Sequence, residues 1–160
     1  MNPREKLASL AKAVVERSKV IRFTIPCPPN FENERMHWAV RSKAVQSARN
    51  RTLYAIAEAG AMPTAHERLV MATEPRKRVV KFTRYFGGRI REMDSGGIVS
   101  ACKPVLDALK LVVGHKRQYG RMIEVQGAGI LFDDSAKWVT TMHEQVKDAT
   151  RAGTLEVTIS

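Results

Sequence analysis

The sequence predicts a single α+β domain in which a small mixed or antiparallel β-sheet packs with helices, preceded by an N-terminal helix. Three observations carry this expectation. Residues 19–25, 78–86 and 154–159 alternate apolar and polar side chains with the two-residue period of a strand. Residues 36–59, free of glycine and proline, and 98–113, free of glycine, space apolar residues three and four apart, as a helix requires. Neither an internal repeat nor a change of composition divides the 160 residues into two folding units.

In chain order, residues 4–17 set Leu7, Leu10, Ala11, Val14 and Val15 on one helical face, so residues 1–18 read as an extension to a main domain at 19–160. Ile21, Phe23 and Ile25 then share one strand face, and the strand ends at Pro26-Cys27-Pro28-Pro29-Asn30, a rigid loop. A long helix over about 36–59 offers Trp38, Val45, Leu53, Ile56 and Ala57 as an apolar face and stops at Gly60 and Pro63. The second strand, 78–86, places Val80, Phe82 and Phe86 together before the bend at Gly87-Gly88. An extended stretch, 89–94, leads to a helix over 98–113 with Ile98, Cys102, Val105, Leu109 and Val112 as its stripe and Pro104 inside it. Residues 115–129 lack a period and read as a flexible loop or a short hairpin; 137–146 and 154–159 read as two further strands.

Charge narrows the partner. Twenty-seven Lys and Arg against 16 Asp and Glu give +11 and a pI near 10.1, the balance of a protein that displaces counterions from a polyanion. Arg76, Lys77, Arg78, Lys81, Arg84, Arg89 and Arg91 are concentrated in one stretch with Phe82, Tyr85 and Phe86, and are the candidate residues for binding a polyanion; a solvated basic face is the bland alternative. Two cysteines without Cys-x-x-Cys spacing exclude a disulfide scaffold and favour a reducing cytoplasm. No apolar run approaches the roughly 18 residues of a membrane span, and no signal core follows Arg4-Glu5-Lys6, so a membrane partner is not expected.

Three carboxylates stand at element edges: Asp94 before Gly96-Gly97, and Asp133-Asp134 after Ile130-Leu131-Phe132. If the elements converge, these oxygens suit Mg²⁺, which takes one or two carboxylates and completes its shell with water and substrate phosphate. The structural alternative makes Asp94 a helix cap and Asp133-Asp134 a polar turn. Lys103 and Asp107, four residues apart, share a helix face, either beside a phosphate or as a simple ion pair. The four histidines show no metal-ligand spacing, and no phosphate-binding glycine loop or serine elbow is present.

Together, Asp94-Ser95-Gly96-Gly97-Ile98, Lys103-Pro104-Val105-Leu106-Asp107-Ala108-Leu109 and Leu131-Phe132-Asp133-Asp134-Ser135 resemble the RusA family of Holliday junction resolvases. Phe23-Thr24-Ile25-Pro26-Cys27-Pro28-Pro29-Asn30 is similar to the family's first strand and its Pro-Pro-Asn loop, so the resemblance covers about residues 19–160. It implies a RusA-like fold and an Mg²⁺-dependent (or Mn²⁺-dependent) endodeoxyribonuclease that resolves branched DNA in recombination and repair. It also implies a homodimer acting on four-way junctions in the cytoplasm of a bacterial or phage-infected cell. Carried over by position, Asp94, Lys103 and Asp134 are the implied catalytic residues, and Asp94, Asp133 and Asp134 the implied metal ligands. Gly96 and Gly97 stand where the family has a second Asp and an Asn. That departure keeps a second reading open, a junction-binding protein on the same fold that does not cut.

Overall fold

The computed structural model describes Asn2, Glu5, residues 19–32 and residues 35–160. Apart from Glu5, the helix expected over 4–17 lies outside these residues. In order come β1 (Ile21–Pro26), α1 (Trp38–Glu58), α2 (Ala65–Thr73), β2 (Arg78–Phe86), α3 (Ser95–Leu109), β3 (Val112–Gln118), β4 (Arg121–Gln126), β5 (Val139–Lys147) and β6 (Thr154–Ile159). The class is α+β, as expected, and the main sheet is mixed. Its order is β1-β6-β2-β5, with β6 antiparallel to both neighbours and β5 parallel to β2.

Period-two alternation and register together build the core. Phe23 lies opposite Val157, which lies opposite Phe82, and Ile21, Ile159 and Val80 form the next row on the same face. Phe82, Val157, Val80 and Ile159 are fully buried. Truncating a side chain such as Phe82 to alanine in a core of this kind costs about 3–5 kcal/mol. Onto this face pack Ile98, Cys102, Val105 and Leu109 of α3, with Ile56 of α1 in the same cluster. Helix α1 also lies beside α3. Being covered on more than one side, α3 buries Ala101, Pro104, Leu106 and Ala108 as well as its expected stripe.

The opposite sheet face carries Lys81, Thr83 and Tyr85 from β2, which among the described residues meet Glu144 and Arg151. Lys81 Nζ lies 2.8 Å from Glu144 Oε1, Thr83 Oγ1 donates to the same oxygen at 2.7 Å, and the Arg151 guanidinium stacks 3.7 Å from the Tyr85 ring centre.

Several expected boundaries move for identifiable reasons. Helix α3 begins at Ser95 because the Asp94 carboxylate accepts from Gly97 N at 2.5 Å and caps it there. It ends at Leu109, where Lys110 takes extended angles and Val112 and Val113, β-branched, enter β3. Pro104 stays within the helix and removes one backbone bond from its third turn. Between the two readings left open for 115–129, the hairpin is correct. Tyr119 and Gly120, with φ of 49° and 75°, form a two-residue turn with both centres left-handed, the twist that suits antiparallel strands. Helix α2 is additional to the expected elements, although Thr64 and Glu67 form a complete capping box at its start. On α1, Trp38 is 76% exposed and Ala57 is exposed, so the expected apolar face narrows to Ala48, Thr52 and Ile56, with Leu53 packed beside them.

Candidate functional site

The N-terminus of α3 is assembled from three separated segments. From the sheet comes a clamp: Gln145 of β5 donates its amide to Met93 O at 2.7 Å and accepts from Met93 N at 2.9 Å. Arg84 of β2 donates to Gln145 Oε1 and to Arg91 O, each at 2.9 Å. These bonds hold the extended chain that delivers Asp94, whose Oδ1 then caps the helix. Asp94 is therefore the helix cap that the sequence offered as the alternative to a metal ligand.

The third segment is the loop after β1. Cys27 N donates to Gly153 O at 2.8 Å, Phe31 is buried, and Glu32 N donates to Asn30 Oδ1 at 3.0 Å in an Asx-type turn. The loop thereby reaches the two glycines of α3. A side chain at position 96 would begin 2.6 Å from Glu32 Oε2 and 3.9 Å from Asp94 Oδ1. One at position 97 would run into the Asn30 amide and begin 2.7 Å from Asp94 Oδ1. The space left by Gly96 is thus filled by a carboxylate, and that left by Gly97 by an amide. Glu32 is a site residue that sequence reasoning missed; no spacing linked it to Asp94, and only its place two residues beyond the Pro-Pro-Asn loop hinted at it.

Farther along α3 a charge network forms. Lys103 Nζ pairs with Asp134 and, at 3.1 Å, with Asp107; Lys110 Nζ reaches Asp107 at 3.1 Å and Asp134 at 3.4 Å; Arg49 of α1 reaches Asp107 at 3.3 Å. The i,i+4 pairing of Lys103 with Asp107 is as the spacing implied. Asp134 joins because Lys110 and Leu131 bridge in parallel, with Leu111 N donating to Leu131 O at 2.9 Å, which draws the segment carrying Asp133-Asp134 against the helix. Partial burial alone would raise the Asp134 pKa, but hydrogen bonds from Lys103 and Asp133 and the charges of Lys103 and Lys110 outweigh it and hold the carboxyl down at about 2. For Lys103, likewise, desolvation would lower the pKa and the two carboxylates reverse it, so the ammonium is raised above its ordinary value.

A groove of about 360 Å³ has members of both clusters in its wall. Glu32 and Phe31 line one part, Lys103 and Asp107 another, and Arg41 of α1 contributes a further cation. The Lys103 side chain remains 53% exposed there despite its ion pairs.

The basic stretch divides. Arg84 and Arg78 are 4% and 9% exposed, Lys81 is engaged by Glu144, and Arg76 lines a separate cavity. Lys77, Arg89 and Arg91 are the exposed members. Arg84 is buried because it faces the helices beside Leu155, where its guanidinium serves the Gln145 clamp.

The implied metal ligands do not gather as one set. Lys103 lies nine positions beyond Asp94 along the helix, a rise of about 13 Å, and Asp134 is held there by two ammonium groups. Among the described residues, no group of three or more His, Cys, Asp or Glu side chains could share an ion. The carboxylates that approach one place are Glu32 and Asp94, whose Oε2 and Oδ1 both lie within 4 Å of the Gly96 side-chain position, Oδ1 also capping α3; they are the donor type Mg²⁺ takes beside water and phosphate. Protein-family models, curated proteins and solved structures yield no match to this chain.

Proposed function

We propose that the chain is an Mg²⁺- or Mn²⁺-dependent endonuclease of branched DNA, cutting four-way junctions as a RusA-like homodimer in the bacterial or phage-infected cytoplasm. The observation that carries this reading is the single groove that has Glu32, next to Asp94, at one part and the exposed Lys103 ammonium at another. A phosphodiester lying in it meets carboxylates fit for a hard cation and, farther on, a cation fit for phosphate. Asp94 and Glu32 would hold the metal, which when bound would polarise the phosphate and activate water. Lys103 faces the charge that develops on the phosphate oxygens, and its raised pKa keeps it protonated for that role. The Gln145–Arg84 clamp keeps Asp94 in place. Lys77, Arg89 and Arg91 contact the backbone without reading sequence.

One observation favours the second reading, a junction binder that does not cut: Asp134 has both oxygens engaged by lysines and lies apart from Asp94. The deciding experiment incubates the chain with labelled four-way junctions, with and without Mg²⁺, beside Asp94→Asn and Lys103→Met. Paired nicks that require Mg²⁺ and vanish in both variants support the nuclease. Salt-sensitive binding without nicks supports the binder. Sedimentation at about twice 17.9 kDa tests the dimer.

A further inference from the structure

Away from the groove, a second cavity of about 370 Å³ lies between α2 and the end of the sheet at which β1 and β2 begin. Its walls include Ile21, Met62, Pro63, Val70, Met71 and Ile130, an apolar lining in the size range of small-molecule sites. Into this lining the sequence places Arg78. That side chain is 9% exposed, its Nε is buried with no hydrogen-bond partner, and it forms no salt bridge among the described residues. Among the described residues no carboxylate pairs with this guanidinium, and a largely buried charge in that condition is costly.

Among the described residues, the remaining charges around the cavity do not neutralise it. Glu67 is committed to capping α2, where its carboxylate accepts from Thr64 N at 2.6 Å, and Glu74 already has an interaction of its own. Lys19 and Arg76 add positive charge, and His66 completes the titratable groups at the wall. Desolvation first, and then the neighbouring Arg76, bring the Arg78 pKa down to about 10, so the group stays charged at neutral pH.

We propose that this cavity binds a small amphipathic anion, one carboxylate or phosphate group on an apolar body, with Arg78 as the partner of the anion. The guanidinium supplies a planar fork of donors that matches either head group. The apolar walls supply the rest of the contact, and enclosure raises the worth of the charge pair above that of a surface pair.

The test uses the full chain and four probes: octanoate, octyl phosphate, 1-octanol and inorganic phosphate. Calorimetric titration is expected to show at least one octyl anion saturating at one per chain and binding about tenfold or more tighter than octanol, a gap of about 1.4 kcal/mol. Which octyl anion wins identifies the head group. Arg78→Met is expected to bring the anion down to the level of octanol while raising the melting temperature, since a buried unpaired charge has been removed. Val70→Trp, which fills the cavity and leaves Arg78 intact, is expected to abolish binding of octyl probes. Equal binding of octanol and both anions, inorganic phosphate binding as tightly as octyl phosphate, or unchanged anion binding in Arg78→Met overturns the proposal. Should Arg78→Met fail to fold, Val70→Trp decides: anion binding retained in that folded variant also overturns it.

Discussion

Gln145 pairs with both the N–H and the C=O of Met93, so one side chain does for that segment what a neighbouring strand would do. Arg84 donates to the same amide oxygen and to Arg91 O. Two residues paired across parallel strands thus fix the chain just before Asp94.

Removing that brace should loosen Asp94 before it harms anything else. Gln145→Ala is expected to cost about 1–3 kcal/mol, the penalty for leaving partly buried polar groups unpaired. Denaturant unfolding measures the effect. In a junction assay the variant should lose cleavage more than binding; equal losses would mean the clamp has no part in placing Asp94.

The pairing of Glu32 with the empty position of Gly96 can be tested by exchange. Glu32→Gln is expected to lower Mg²⁺-dependent nicking about 100-fold, and Glu32→Ala combined with Gly96→Asp to restore much of it, because a carboxylate returns to the same space. Gly96→Asp alone should bring no gain, since its side chain would press against the Glu32 carboxylate. Wild-type cleavage by Glu32→Gln would remove Glu32 from the site.

Acid should reveal the Asp134 network. Its folded pKa of about 2 lies below the ordinary 3.8, so the unfolded chain binds more protons across that interval. The stabilisation is complete above about pH 4 and is lost as pH falls toward 2. With Lys103 half exposed, the expected contribution is about 1 kcal/mol. Asp134→Asn should flatten the stability profile between pH 4 and 2; an unchanged slope would show the ion pairs to be idle.

Phosphate binding and burial separate the basic residues. Replacing Lys77, Arg89 and Arg91 together by alanine should reduce the salt slope of junction binding by about one unit for each phosphate that is no longer neutralised. Arg84→Met should instead unfold the chain at lower denaturant and leave the slope of whatever remains folded unchanged. A slope unaltered in the triple variant would place the DNA elsewhere.

How much of this was legible in the sequence depends on where the information lies. Strand 154–159 was readable because one face is buried, which enforces alternation, and 78–86 because buried Val80 and Phe82 alternate with Val79 and Lys81 at its start, although burial extends to both faces from Phe82 to Tyr85. Helix α2 was not, because it buries only Met71 fully and leaves Leu69 60% exposed, so periodicity is weak and only the capping box marks it. The Lys103–Asp107 pair follows from helix geometry alone. Asp134 arrives through the bridge between Lys110 and Leu131, a tertiary contact with no local signal. Arg84 reads as surface by residue type, and only the register that sets it beside Leu155 discloses its burial. Glu32 is the hardest case, since its partner in space is the absence of a side chain.

The sheet order has a consequence for how the chain reaches this state. Strand β6 lies between β1 and β2, so the first strand has no partner in the sheet until the last one arrives. Closure over so many residues forms late and slowly, on the timescale of non-local β pairing, milliseconds to seconds. Until then β1 and β2 each leave an apolar edge unpaired, while α3 and the β3–β4 hairpin, built from neighbours in sequence, can already form. A ribosome-bound chain stalled before Thr154 would therefore expose Phe23 and Phe82 together, and it is at that stage of synthesis, rather than in the finished molecule, that aggregation or chaperone capture is to be sought.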